Sequence, residues 1–255
     1  MGTCAHAAAA GIFGVLGMVS LGATQAAEIT VLTGQGVVSA VRDLAPAFER
    51  ASGHKVVVGF ESAPALMRKI DADAPADLVT QTPEAIDELI RKGKVVAGAK
   101  VVFARAGIGV AVKAGAPRPD IGSAEAFKRA MLAAKSVAYS KVGASGLYVA
   151  KLMDRLGIAD EMRPKTKLVE GVPVAELVAK GEAEIGMQQI NVILPVAGVE
   201  YVGPLPVELQ DYVVFAAGLL TVAKEPEAAK AMMSFMSAPA AEPLIRKSGM
   251  EPAVR

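Results

Sequence analysis

Glu28-Ile29-Thr30-Val31-Leu32-Thr33-Gly34-Gln35-Gly36-Val37-Val38-Ser39-Ala40-Val41-Arg42-Asp43-Leu44-Ala45-Pro46-Ala47-Phe48 is the stretch that decides how the rest of the chain is read. Ile29 to Leu32 is a short apolar, β-branched run, the pattern of a buried strand. Thr33-Gly34-Gln35-Gly36 supplies a turn, and Val37, Val41, Leu44 and Phe48 then recur at helical spacing. Glycines at such a junction let the backbone approach a ligand closely. The first N–H groups of the helix are left without partners there, at the end that carries partial positive charge. The junction fits an anion site. It equally fits an ordinary strand-to-helix turn of any α/β protein.

Around this stretch the composition is restrictive. The chain has 255 residues, and its first 27 contain no Asp, Glu, Lys or Arg. Ala7–Ala10 followed by Ile12, Phe13, Val15, Leu16, Met18, Val19 and Leu21 is an apolar run that ends in Ala23-Thr24-Gln25-Ala26-Ala27. Its length and small-residue exit point to a cleavable secretory leader over residues 1–27, although no basic residue precedes the run. Export to the periplasm follows as an expectation. The one cysteine, Cys4, lies in this segment and precedes the apolar run, whereas a lipid-anchored cysteine would follow it. Beyond the leader there is neither a disulfide nor thiol chemistry to expect, and a chain of this size can bury a large core without staples. The 27 basic and 26 acidic residues nearly balance, which argues against nucleic-acid or membrane-surface partners. With His54 the single histidine past the leader, a His/Cys metal site is excluded and no cofactor is expected. A Ser-His-Asp hydrolase would need His54, and no Gly-x-Ser-x-Gly elbow occurs.

Further along, strand and helix patterns alternate. Val56–Phe60 predicts a strand, and Leu66, Met67 and Ile70 predict a helix begun by Ser62-Ala63-Pro64. Pro75–Thr80 predicts a third strand, with a helix from Thr82-Pro83-Glu84 through Ile90 closed by Gly93. Such alternation implies a mainly parallel sheet with helices on both faces. Two long apolar stretches, Val101–Lys113 and Val213–Lys224, each carry glycine near the middle. They fit two ordinary buried strands, or two strands crossing between lobes with a second lobe between them. That intervening segment has its own alternation: Val137–Ser140, the glycine-rich turn Lys141–Gly146, a helix through Leu147 and Leu156, Lys167–Glu170, and Glu184–Gln189. Glu225–Met250 reads as two helices broken at Pro239.

Taken in order, Ile29-Thr-Val-Leu, Asp43-Leu-Ala-Pro-Ala-Phe-Glu, Phe60-Glu-Ser-Ala-Pro-Ala-Leu, Ala74-Pro-Ala-Asp-Leu and Ser145-Gly-Leu-Tyr make the chain resemble exported type II solute-binding proteins. It is similar above all to the molybdate-binding proteins of ABC transporters. The resemblance covers nearly everything past the leader. It implies an α/β fold of two lobes, mainly parallel sheets joined by two hinge strands, with lobe 1 over 28–103 plus 214–255 and lobe 2 over 104–213. It implies a monomer that carries a small anion to an ABC permease in the inner membrane. It further implies neutral donors for an oxyanion: backbone N–H groups, two serine hydroxyls and a tyrosine. By position these fall on Gly36, on Ala63 beside Ser62, on Ser145, on Val172 and, for the tyrosine, on Gln189. The backbone donors survive those changes, whereas the two matching hydroxyls and the phenol do not.

Amide and charged groups stand nearby instead: Gln35, Glu61, Ser62, Gln188, Gln189 and Asn191. Arg105 offers either a bidentate carboxylate clamp or a surface salt bridge. Lys141 and Glu61 offer either ligand contacts or solvated turns. Strand alternation predicts that only one of Gln188 and Gln189 faces the cleft. This set suits an organic anion with several oxygens. A rival reading is an isomerase on the same scaffold, a type known to host cis/trans isomerisation of aconitate. Its proton-moving candidates are Glu61, Lys141, Tyr139 and Glu170.

Overall fold

The computed structural model describes residues 26–253 and the first two residues of the chain. The leader expected over 1–27, Cys4 included, lies outside the described residues except at its two ends. Among the described residues no helix is long and apolar enough to cross a membrane.

β1 (Glu28–Gly34), α1 (Val38–Ser52), β2 (Lys55–Glu61), α2 (Ala63–Asp71), β3 (Leu78–Gln81) and α3 (Pro83–Arg91) alternate as the sequence pattern requires. The long β4 (Val95–Lys113) then leads into a second series: α4 (Ala124–Ala133), β5 (Val137–Ser140), α5 (Ala144–Arg155), α6 (Ala159–Met162), β6 (Thr166–Val169), α7 (Val174–Ala179), β7 (Ile185–Gln189), α8 (Ile190–Ile193) and β8 (Val199–Pro204). β9 (Tyr212–Leu220) returns to the first series, followed by α9 (Pro226–Met236), α10 (Glu242–Lys247) and the two-residue β10 (Glu251–Pro252). The strand order is β2-β1-β3-β9-β4-β7-β5-β6, with β8 and β10 also paired to β4.

β2-β1-β3 is a parallel ladder, and so is β7-β5-β6. Ladders involving β4 or β9 are antiparallel. The fold is therefore two lobes of parallel βα units, with β4 running from one into the other. At the crossing, Gln210 acts as a substitute strand partner: its Oε1 accepts from Ile108 N–H at 2.8 Å and its Nε2 donates to Ile108 C=O at 3.0 Å.

Each lobe buries apolar side chains on both faces of its sheet. In the first, α1 contributes Val41, Leu44 and Phe48 to a cluster that includes Phe103, Phe215 and the α9 methionines, while Leu66, Ile86 and Leu89 fill the opposite face. In the second, Phe127, Met131, Val149 and Leu152 cover one face, and Val174 and Val178 the other. Full burial of such a side chain contributes about 1.5–3 kcal/mol. The stripe on α1 follows from helical periodicity. Gly53 ends that helix in the left-handed region (φ 79°), its N–H returning to Glu49 C=O.

Of the expected strand Pro75–Thr80, Pro75 and Ala76 lie ahead of β3, which begins at Leu78, while the Asp77 backbone already bonds to both neighbouring strands, donating to Thr30 C=O at 2.9 Å and accepting from Leu220 N–H at 2.9 Å. Asp77 itself is buried. Its carboxylate accepts from Thr30 N–H at 2.8 Å on β1, from Lys224 N–H at 2.8 Å and from Glu225 N–H at 3.0 Å ahead of α9. Asp77 thus ties the first strand to the returning chain. Hydrogen bonds to a charged acceptor contribute roughly 1.5–3 kcal/mol each, and deleting the acceptor strands the buried donors. Asp77→Ala is expected to lower the unfolding free energy by about 3–5 kcal/mol, read as a shifted midpoint in urea, whereas a surface change such as Glu227→Ala leaves it within about 0.5 kcal/mol.

Candidate functional site

In parallel βα units, strand ends and helix starts share one edge of the sheet, where open α/β folds bind ligands. Here those edges of the two lobes face each other across a cavity of ≈ 70 Å³. This is well below the roughly 300–1,000 Å³ of drug-sized sites. One side is built from Gly34-Gln35-Gly36 after β1, Ser62 and Ala63 after β2, and Gln81 and Thr82 after β3. The other is built from Ser140 and Gly143–Ser145 after β5, Gly171 and Val172 after β6, and Gln188 and Gln189 on β7. Val213 and Phe215 of β9 also reach it.

No lining residue is charged. The polarity comes from helix starts. The residues that open α1, α2 and α5 (Val37, Ser62 and Gly143) provide no side-chain cap. α3, which opens at the same edge, is capped, Thr82 Oγ1 accepting from Ala85 N–H at 3.4 Å. Three of the helices that start at this edge thus bring N–H donors without a side-chain cap, and their positive ends, to one space. The N–H groups of Gly36 and Val172 meet no acceptor among the described residues.

The side chains extend this donor lining. Ser145 is 2% exposed and Gln189 is 6% exposed, and neither uses its polar side-chain atoms in a hydrogen bond among the described residues. Ser140 Oγ accepts from Gly143 N–H at 2.9 Å, leaving its own proton to donate. Asn191 Nδ2 donates to Gly36 C=O at 2.9 Å and to Ser39 Oγ at 3.1 Å, so α8 holds the α1 turn. Gly36 itself leaves no room: a Cβ there would sit 3.0 Å from the Gln189 amide and from the Phe215 ring.

Of the ligand-contact residues expected from sequence, Gln35, Gly36, Ser62, Ala63, Ser145, Val172 and Gln189 all line this cavity. Arg105 does not. The short β10, which periodicity missed, sets Glu251 opposite Arg105. Arg105 Nε donates to Glu251 at 2.9 Å, and the guanidinium lies 4.2 Å over the Tyr212 ring. Gln188 and Gln189 both line the cavity, against the expectation of one. Alternation itself holds, Gln188 meeting Val174 N–H and Gln189 lying against Gly36, but the cavity sits at the end of β7, where both residues reach it.

The proton-moving candidates stand elsewhere. Glu61 pairs with Lys69, and Lys141 lies 3.9 Å from Glu170 with both side chains more than half exposed. Tyr139 packs into the second lobe's core. Gln81 and Thr82 escaped the sequence reading, yet they hold the same strand-end position as Gly34–Gly36 and Ser62, which was the available signal. The resolved ionisation shifts also fall outside the cavity. Glu88 and Asp71 raise Lys92, backbone N–H groups of Glu208 itself and Ala124 lower Glu208, and burial pushes Tyr201 up to about 12.

The family model described as bacterial extracellular solute-binding protein matches residues 29–251, and the chain belongs to that family. It is 32% identical over 238 residues to an aconitate isomerase of a Pseudomonas species, covering 91% of this chain and 90% of that one. It is 27% identical over 236 residues to the molybdate-binding protein ModA of Azotobacter vinelandii, covering 89% and 91%. The solved periplasmic molybdate-binding protein of Azotobacter vinelandii superposes with a TM-score of 0.74 at 20% identity, covering 89% of this chain and 99% of that one.

Gly146 lets the start of α5 lie against β5: a Cβ there would fall 1.8 Å from Ser140 C=O. Within a helix, Gly→Ala ordinarily gains about 1 kcal/mol. Gly146→Ala is expected to reverse that sign and cost about 3 kcal/mol through overpacking, measured by thermal or urea unfolding.

Proposed function

We propose that this member of the bacterial extracellular solute-binding proteins captures a small anion, an oxyanion or an organic carboxylate, in the cavity between its lobes. The exported, monomeric protein then delivers the anion to an ABC-type permease of the inner membrane. The lobe built from 28–103 and 214–255 closes on the lobe built from 104–213, and β4 and β9 bend between them. The observation that carries this reading is a cavity rich in N–H and O–H donors and free of charged side chains. Such a lining stabilises an anion through oriented dipoles without a permanent counter-charge. The ligand-contacting groups are Gln35, Gly36, Ser62, Ala63, Ser145, Val172 and Gln189. The changes at Gly36, Ala63 and Gln189 favour a carboxylate over molybdate, since amide and backbone donors replace a compact set of hydroxyls.

A second reading is isomerisation of aconitate, supported by the 32% identity to a protein of that name. A 1,3-shift of a proton needs a group that takes and returns it. The cavity offers hydroxyls and amides for this and no carboxylate, amine or imidazole, so capture is the better-supported function.

Molybdate, sulfate, phosphate, citrate and cis-aconitate form a sufficient first panel. At an anion concentration of 100 times Kd, binding stabilises by about 2.7 kcal/mol, which for a protein of this size raises Tm by roughly 5–10 °C. At least one probe is expected to do so, with native mass spectrometry of the fresh protein showing a retained anion. A panel without any shift, together with an anion-free mass, overturns the capture reading. Incubation with cis-aconitate followed by proton NMR is expected to leave the spectrum unchanged, and accumulation of the trans isomer would replace capture by catalysis.

A further inference from the structure

Two buried glutamines, one from each lobe, are held with the same polarity. Gln81 ends β3 and is 7% exposed, and its Oε1 accepts from Thr82 N–H at 3.1 Å. Gln188 lies on β7 and is 6% exposed, and its Oε1 accepts from Val174 N–H at 2.9 Å. A backbone N–H can meet only the oxygen of a side-chain amide, so neither amide can be turned over without losing that bond. Each therefore has its NH2 group left to point away from the anchor. Both residues line the cavity. Neither Nε2 bonds to another group among the described residues, and neither is sealed from open space; the buried side-chain atom without a partner there is Asn191 Oδ1.

We propose that Gln81 and Gln188 are ligand-binding, specificity-determining residues. Each is locked donor-first, so that the ligand must present an acceptor oxygen to both lobes at once. This rests on the capture reading above and narrows it. The ligand class is a carboxylate or oxyanion with at least two unprotonated oxygens directed to opposite sides. A neutral alcohol, or an ammonium group turned toward either amide, would meet a donor with a donor. Because the two amides belong to different lobes, a ligand that satisfies both also holds the lobes together.

A substitution series separates donation from anchoring. Gln81→Glu and Gln188→Glu keep an oxygen for the anchoring N–H but present a second, negative oxygen to the cavity. Gln81→Met and Gln188→Met keep the length and lose both the anchor and the donor. Isothermal titration of the purified protein with molybdate, sulfate, phosphate, citrate and cis-aconitate at pH 7.5 reads the outcome, and the probe that binds distinguishes an inorganic oxyanion from a carboxylate.

The expected order of affinity is wild type above Met above Glu at both positions. Each Glu variant should lose at least about 30-fold while its ligand-free Tm stays at or above that of its Met counterpart. Wild-type affinity in the Glu variants, with loss only in the Met variants, would reduce both glutamines to anchors. That result overturns this proposal and leaves capture standing. A wild type that binds none of the five probes removes both.

Discussion

Free N–H groups at helix starts must find an acceptor, and at three helix starts beside the cavity the opening residue's side chain supplies none among the described residues. α1, α2 and α5 begin at Val37, Ser62 and Gly143 without a side-chain cap. The general arrangement of βα units then does the rest. Parallel strands end where their helices begin, so two lobes set edge to edge bring those starts to one shared space. A buried donor without an acceptor is costly, and in the proposed capture an anion entering the cavity would relieve that cost at several donors together. The absence of lysine and arginine from the lining makes this the main source of positive potential there.

Much of the surrounding structure keeps that edge in place. Asp77 gathers three backbone N–H groups from either end of the first lobe. Gly146 allows α5 to start directly over β5, and Asn191 holds the turn at Gly36 and the hydroxyl of Ser39. At the crossing strands, Gln210 completes the bonding of Ile108, and Arg105 is shared between Glu251 and Tyr212. These contacts sit where β4 passes from one lobe into the other. Arg105 thus belongs to this crossing rather than to the cavity lining.

The two functions carried by relatives, capture and isomerisation, make different demands on the same cavity. Both need an anion held by several donors. Only isomerisation needs a group of suitable basicity beside a carbon. The carboxylates, amine and phenol nearest in sequence are engaged elsewhere: Glu61 with Lys69, Lys141 near Glu170, and Tyr139 among core side chains. Shared ancestry across nearly the whole chain explains the common scaffold, and the chemistry depends on what each member places in the lining.

Local pattern determined a good deal by itself. The alternation of apolar runs and helical stripes prescribed two series of βα units. The glycines at 34, 36, 143 and 146 marked the junctions where backbone comes close. Seven of the residues expected at the site line it, because strand ends and helix starts are local features and their meeting follows from parallel topology. Pairing over long distances was decided only in three dimensions. A two-residue strand has no periodicity to detect, so the partner of Arg105, 146 residues away at Glu251, was invisible. Alternation along β7 holds for Gln188 and Gln189, yet both reach the cavity because it lies at the strand's end, a placement that only the tertiary structure sets. The polarity of Gln81 and Gln188 depends on which backbone N–H each one meets, and that is a property of tertiary contact rather than of residue type.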